Sequence, residues 1–314
     1  MPLRIVFCGT PEFAVPSLRH LLAQPDFQIV GVVTQPDRPR GRALAISNSP
    51  VKDAAIAAGI PVYQPAKIKS EEAFEYFKKA APDAVVIIAY GQIIPQRLIE
   101  IPRLGWINLH GSLLPKYRGA APIHRAIMNG ENRTGLTTMN IDAGLDTGPM
   151  LLQFETEIGP DETAPELYAR LSEAGAPLVA ETLRGLDSGN ITPKPQDNSQ
   201  ASFAPPLKKE EGRIDWSLSA QQIYNRIRGL QPWPGAFTSF RGKNCAVWGR
   251  PMLMPSAAAG LPGEILKAEN SVVVSCGGAT ALRLEFVQLE GRKRVTALEF
   301  ANGARLAPGD RFGN

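Results

Sequence analysis

Leu3-Arg4-Ile5-Val6-Phe7-Cys8-Gly9-Thr10-Pro11-Glu12-Phe13-Ala14 opens the chain with a short apolar run, a glycine-bearing turn and the start of an amphipathic stretch. Short, β-branched runs bounded by Gly, Pro or Asp fit strands buried on both faces of a sheet. The signature of Leu3–Phe7 returns at Ile29–Val33 and Ala84–Ala89, and helical spacing fills the gaps at Ala14–Ala23, Pro50–Ala58 and Glu71–Ala80. Trp106–Leu109 and Gly135–Asn140 read as a fourth and fifth strand, with a helix beginning at Pro122–Met128 between them. This βαβ rhythm predicts an α/β domain with a doubly wound, mostly parallel sheet. Sites in such sheets lie outside the carboxyl ends of the strands.

The first strand-to-helix turn has one glycine, Gly9, where a dinucleotide fingerprint needs G-x-G-x-x-G for close approach of a pyrophosphate. The order is Rossmann-like, but a nicotinamide cofactor is not expected. A long helix is predicted around Thr163–Asp187. From Thr192 to Pro206 periodicity is lost in a Pro-, Gln-, Asn- and Ser-rich stretch. We therefore expect a catalytic domain over residues 1–192, a linker over 193–206 and a second domain over 207–314. After one helix, Ala220–Gly229, the second domain consists of β-rich runs at Ala236–Phe240, Cys245–Gly249, Ser271–Cys276 and Arg283–Leu289. That pattern predicts a small all-β barrel of OB-like type.

Composition removes several classes of function. The 314 residues are 44% hydrophobic and 20% charged, as in ordinary globular proteins. No run reaches the roughly 18 apolar residues needed to span a bilayer, and the N-terminus lacks the layout of a signal peptide. Three scattered cysteines, Cys8, Cys245 and Cys276, make neither a disulfide framework nor a four-ligand zinc site. A cytoplasmic protein without membrane or metal is expected. The net charge is +4, but residues 207–314 hold 15 Lys and Arg against 9 Asp and Glu. A basic module on a slightly acidic body suits a polyanionic partner. The loop Pro36-Asp37-Arg38-Pro39-Arg40-Gly41-Arg42 adds three arginines at alternate positions after the second strand. Planar guanidiniums grip phosphates bidentately.

The chemistry is concentrated in Asn108-Leu109-His110-Gly111-Ser112-Leu113-Leu114-Pro115. Residues two apart on a strand share a face, so Asn108 and His110 project together at a strand end. The loop Ile141-Asp142-Ala143-Gly144-Leu145-Asp146-Thr147-Gly148-Pro149 follows the neighbouring strand and is expected to bring Asp146 to His110. An amide donor, an imidazole and a carboxylate suit acyl transfer. No serine or cysteine stands out as a nucleophile, so the attacking atom is expected to belong to the substrate. The two carboxylates could instead hold a turn through Asx hydrogen bonds. His20 and His124 read as structural.

These segments, together with Arg118-Gly119-Ala120-Ala121-Pro122-Ile123 and Ile214-Asp215-Trp216-Ser217, resemble those of the methionyl-tRNA formyltransferase family. That family falls within the 10-formyltetrahydrofolate-dependent formyltransferases, and the likeness runs over essentially the whole chain. The resemblance implies formyl transfer from 10-formyltetrahydrofolate to the α-amine of methionine on initiator tRNA. It implies Asn108, His110 and Asp146 as the catalytic trio. Ser112, Leu113, Leu114 and Pro115, with Tyr90 and Gly91, would line the folate site. Arg38, Arg40 and Arg42, with Lys208 and Lys209 of the basic domain, would contact tRNA. Other bacterial members follow the loop arginine with lysines. Here Arg42 leads into Ala43-Leu44-Ala45-Ile46, so the three arginines must carry more of the phosphate contact. A monomer is expected. Two alternatives stay open: a formyltransferase for an amino sugar nucleotide, and a non-catalytic RNA-binding protein.

Overall fold

Strands β1 (Leu3–Gly9), β2 (Phe27–Val33), β3 (Arg38–Arg40), β4 (Ala45–Ser47), β5 (Val62–Tyr63), β6 (Ala84–Ile88), β7 (Trp106–His110), β8 (Arg133–Asn140) and β9 (Met150–Glu157) occupy the N-terminal half. Helices α1 (Val15–Leu22), α2 (Pro50–Ala57), α3 (Glu71–Ala80), α4 (Gln96–Ile99), α5 (Pro122–Met128) and α6 (Ala164–Asp187) lie between and after them. The computed structural model describes residues 1–40, 45–252, 260–268, 271–307 and 309–313. They divide into two units: Met1–Pro122 with Arg133–Glu157 and Leu167–Pro205, and Ile123–Asn132 with Ile158–Glu166 and Pro206–Asn314.

The first unit carries a seven-stranded sheet in the order β5-β2-β1-β6-β7-β8-β9. It is parallel from β5 to β7, and β8 and β9 are antiparallel. The reversal of strand order between β1 and β6, with crossovers joining parallel strands, is what the βαβ pattern predicts. Every residue of β6, Ala-Val-Val-Ile-Ile, is buried, as a central strand covered on both faces requires. Helix α3 starts at Ser70, whose hydroxyl accepts from Ala73 N at 3.2 Å, and carries Glu71 and Glu72 in its first turn and Lys78 and Lys79 in its last. Cap and charges both favour that helix. Helix α6 crosses β7 at Gly175, where a Cβ would stand 2.5 Å from Leu109 Cδ2. The missing side chain lets the helix press on Leu109, so its neighbours Asn108 and His110 face the opposite side of the sheet. Residues 193–205, aperiodic as a linker would be, are hydrogen-bonded into this unit: Lys194 and Met150 exchange both backbone bonds at 2.8 Å, and Ala204 N reaches Arg118 O at 2.7 Å.

The second unit contains helix α7 (Ala220–Gly229), strands β10 (Phe237–Phe240), β11 (Lys243–Met252), β12 (Ile265–Ala268), β13 (Ser271–Cys276), β14 (Thr280–Leu289) and β15 (Val295–Thr296), and helix α8 (Ala297–Ala304). Its antiparallel sheet runs β10-β11-β14-β13-β12, with β15 also paired to β14. The sheet curls over one core built from Trp216, Phe240, Phe300, Phe312 and the inward aliphatics of β11, β13 and β14, in keeping with the OB-like expectation. Trp216 stacks on Phe312 at 5.6 Å and donates its indole N–H to Thr238 Oγ1 at 3.0 Å. Asp215 holds the turn before it, accepting from Ser217 N at 2.9 Å. The Ile214–Ser217 motif is thus a core plug with a stapled turn.

Candidate active site

His110 ends β7, is 5% exposed, and its Nε2 lies 2.9 Å from the carbonyl of Tyr117. A carbonyl only accepts, so Nε2 carries the proton and donates it. This fixes the ring and leaves Nδ1 as the variable nitrogen, 3.7 Å from Asp146 Oδ2. That gap exceeds a hydrogen bond; the carboxylate faces Nδ1 without bonding it. Asp146 Oδ2 instead accepts from Gly119 N at 2.8 Å. Asn108, half-buried two residues before His110, makes no side-chain hydrogen bond among the described residues, so its amide is available as a donor.

Asp146 reaches His110 by an indirect route. Because β8 is antiparallel to β7, Thr137 lies opposite His110 and Asn140 opposite Ile107. The loop after β8 therefore leaves from the upstream end of β7 and must fold back. Asp142 staples the fold by accepting from Gly144 N at 3.0 Å and Thr147 Oγ1 at 2.7 Å. The two carboxylates of the loop thus divide the work: Asp142 holds the Asx turn, and Asp146, at φ 52°, is delivered to the histidine.

The segment after His110 is held by one buried hydroxyl. Thr137 Oγ1 donates to Ser112 O at 2.7 Å and accepts from Leu114 N and Gln153 Nε2, each at 3.1 Å. Ser112 Oγ donates to Lys116 O at 2.6 Å, which commits its proton to a carbonyl rather than to a base. Leu114 is buried and precedes a cis bond to Pro115. Thr137→Val leaves the Leu114 N–H and the Ser112 carbonyl buried without this partner. A loss of about 2–4 kcal/mol is expected, readable as a lower Tm. An unchanged Tm would remove Thr137 from this role.

Tyr90 can offer a ligand only its main chain. Its ring is 2% exposed in the core beside Cys8 and Phe77, and burial pushes its phenol pKa well up. Its carbonyl accepts from Gln35 Nε2 at 2.9 Å at the edge of a cleft of about 320 Å3 lined by Thr10, Gln35, Pro36, Asp37, Ser47, Ser49, Tyr90 and Gly91. Asp37 there pairs with Lys52 and accepts from Gln64 Nε2 at 2.9 Å. The backbones of Arg38 and Arg40 lie on β3, paired with β4 in a hairpin; Arg42 lies outside the described residues. Lys208 and Lys209 are exposed at the start of the second unit. In that unit sequence reasoning missed a basic cleft of about 490 Å3, in which Arg241, Lys243, Arg292 and Lys293 surround Phe240 and Phe300. Arg294, nearby in sequence, stacks on Trp248 and Phe286 at 4.3 and 4.0 Å. His124 is structural, its Nδ1 2.8 Å from Gly229 O. All three cysteines are buried; burial raises Cys8 and pushes Cys245 and Cys276 to about 12, so none is a ready nucleophile.

A doubly wound sheet thus carries an amide, an imidazole and a carboxylate at one end of β7, an arrangement suited to acyl transfer with a nucleophile that the substrate supplies. Residues 3–183 match the family described as Formyl transferase, and residues 206–305 that described as Formyl transferase, C-terminal domain. Methionyl-tRNA formyltransferase of Solibacter usitatus (strain Ellin6076) is 54% identical, covering 99% of this chain and 99% of its own. That of Koribacter versatilis (strain Ellin345) is 53% identical, covering 98% of each. The crystal structure of WlaRD, a sugar 3N-formyl transferase, has a TM-score of 0.67 over 93% of this chain and 100% of its own. At 20% identity that likeness concerns the fold alone. The chain belongs to the formyl transferase family and, within it, to the methionyl-tRNA formyltransferases.

Proposed function

We propose that this protein transfers the formyl group of 10-formyltetrahydrofolate to the α-amino group of methionine carried by initiator tRNA. The observation that carries the reading is a site with donors and a proton acceptor but no nucleophile of its own. An acyl-transfer site of that kind needs a substrate that attacks, and an amine does so. The relatives that match this chain end to end are named for that reaction.

Asn108 donates its amide hydrogens to the formyl oxygen as negative charge develops there. Nδ1 of His110, its partner nitrogen committed to Tyr117, receives the proton that the attacking amine must lose. As an imidazolium it then donates toward the same oxygen, and Asp146 stands beside it as counter-charge. The new bond joins the amine nitrogen to the formyl carbon, the bond from that carbon to the folate nitrogen breaks, and His110 returns the proton to the leaving nitrogen. The amine enters neutral; α-amino groups titrate near about 7.7–8.0.

The folate supplies the activated formyl carbon. The residues present suit its flat, polar-edged ring: main-chain groups around Tyr90 and Gly91, Ser112 to Pro115, and apolar Ile93 and Leu145, 88% and 63% exposed on the loops after β6 and β8. Basic groups suited to a polyanion occur in each unit: by sequence, the arginines at 38, 40 and 42 of the first, and Lys208, Lys209 and the basic cleft of the second. Asn108, His110 and Asp146 all come from one unit of one chain, so the site needs no second copy, and a cytoplasmic monomer fits the three reduced cysteines.

Formyl transfer to charged initiator tRNA, with elongator methionyl-tRNA as control, tests the reading. Turnover confined to the initiator supports it, and no transfer to either overturns it. In the same assay, neutralising Arg38, Arg40 and Arg42 together is expected to raise the tRNA KM and reduce the slope of log KM against log salt by about 2–3. An unchanged slope would return the loop to an ordinary solvated turn.

A further inference from the structure

Arg118 is 4% exposed, yet no carboxylate pairs with it among the described residues. Its guanidinium is spent on two amide oxygens. Nε and Nη2 reach Gln196 Oε1 at 3.0 and 2.7 Å, and Nη2 also reaches Asn198 Oδ1 at 2.9 Å. Buried cations are ordinarily paired with anions, so this placement calls for a reason. Gln196 passes the contact on. Its Nε2 donates both hydrogens, to the carbonyl of Asp146 at 2.9 Å and that of Gly148 at 2.8 Å. The side chain is saturated, accepting twice and donating twice. A cation on the oxygen polarises the amide and strengthens both N–H donors.

The main chain around Arg118 meets the side chains of His110 and Asp146. Tyr117, at φ 62°, offers the carbonyl that holds His110 Nε2; Gly119, at φ 123°, offers the N–H that holds Asp146 Oδ2. Asp146 itself is held in the left-handed region at φ 52°, which is strained for a non-glycine residue and persists only where the surroundings enforce it. Arg118, Gln196, Asp146 and Gly119 therefore close a ring of contacts, to which the Tyr117 carbonyl ties His110.

We propose that Gln196, gripped by the buried Arg118, is a positioning residue that sets the Asp146 to His110 spacing. The stretch around Gln196 is then an arm of the active site rather than a spacer between domains. The proposal rests on the catalytic reading of Asp146.

The test compares Gln196→Ala, Gln196→Glu and Asp146→Asn in formyl transfer to charged initiator tRNA, with Tm measured for each. Gln196→Glu keeps an acceptor for Arg118, now anionic, but has no hydrogen for the two carbonyls. Both Gln196 variants are expected to lose about 10–100-fold in kcat, with KM for folate and tRNA within about threefold, and Gln196→Glu is expected to melt no lower than Gln196→Ala. Adding Gln196→Ala to Asp146→Asn should cost little more than Asp146→Asn alone. If kcat recovers with Tm in Gln196→Glu, Gln196 is only structural and the proposal falls. If Asp146→Asn loses turnover while both Gln196 variants keep it, positioning by Gln196 is wrong and the catalytic reading stands. Near wild-type turnover in Asp146→Asn would overturn the catalytic reading itself.

Discussion

Replacing His110 with alanine is expected to lower the turnover of formyl transfer by about 10³, with the KM for charged tRNA changed by no more than a few fold. The imidazole is 5% exposed, tied by Nε2 to Tyr117 O at 2.9 Å, with Nδ1 directed toward Asp146. It therefore offers one nitrogen to the reaction and little area to the nucleic acid. Asn108→Ala removes the companion donor and is expected to cost about 10²–10³. In the proposed mechanism both groups serve one oxygen, so the double variant should fall well short of the product of the single losses. Single-turnover formylation with saturating folate checks each value. A His110→Ala enzyme near wild-type turnover would sink the proposed mechanism, in which His110 accepts the proton.

The second large effect is expected at a glycine of the Asp146 loop. A Cβ on Gly148 would stand 1.8 Å from the carbonyl oxygen of Asn140, a backbone atom that cannot swing aside. Gly148→Ala must therefore move the loop. The same displacement strains the bond from Asn140 N to Pro149 O at 2.9 Å and that from Gln196 to Gly148 O at 2.8 Å. Asp146 lies two residues away, so it shifts with the loop. A shift of about 1 Å in a catalytic group costs about 10²-fold, and forced overpacking destabilises by about 1–3 kcal/mol. The variant should show both a kcat lowered by about 10² and a Tm lower by several degrees. A stable protein with full kcat would mean that the loop absorbs the methyl group elsewhere and that Asp146 tolerates its movement.

Much of this architecture can be read from pattern. Leu3–Gly9, Phe27–Val33 and Ala84–Ile88 are strands because dense β-branched runs have no stable place except between two layers. Met150–Glu157 escaped reading because it is an edge strand with much of Gln153–Glu157 exposed, so its sequence lacks a buried face's signal. Val62–Tyr63 is too short to carry any period. Within the site, Asn108 and His110 were legible because strand geometry alone puts them on one face. The parts played by Arg118 and Gln196 were not. Arg118 sits in a Gly- and Pro-rich stretch, and Gln196 in a run whose composition reads as a spacer, 78 residues away. Main-chain groups such as the Tyr117 carbonyl and the Gly119 N–H carry no residue-type signal at all.

The sequence by itself determined the layer plan, the basic second module and the pairing of Asn108 with His110 on one strand face, since each follows from local periodicity, charge or spacing; Asp146 joined that pair, as a trio, through the family resemblance. Only the tertiary structure decided how that trio is assembled. The antiparallel pairing of β8 sends the Asp146 loop away from His110, and the Asx staple at Asp142 with the Arg118–Gln196 contact brings it back. Strand sense and hydrogen bonds between residues dozens of positions apart depend on how the whole chain closes on itself, and local pattern does not encode that distance.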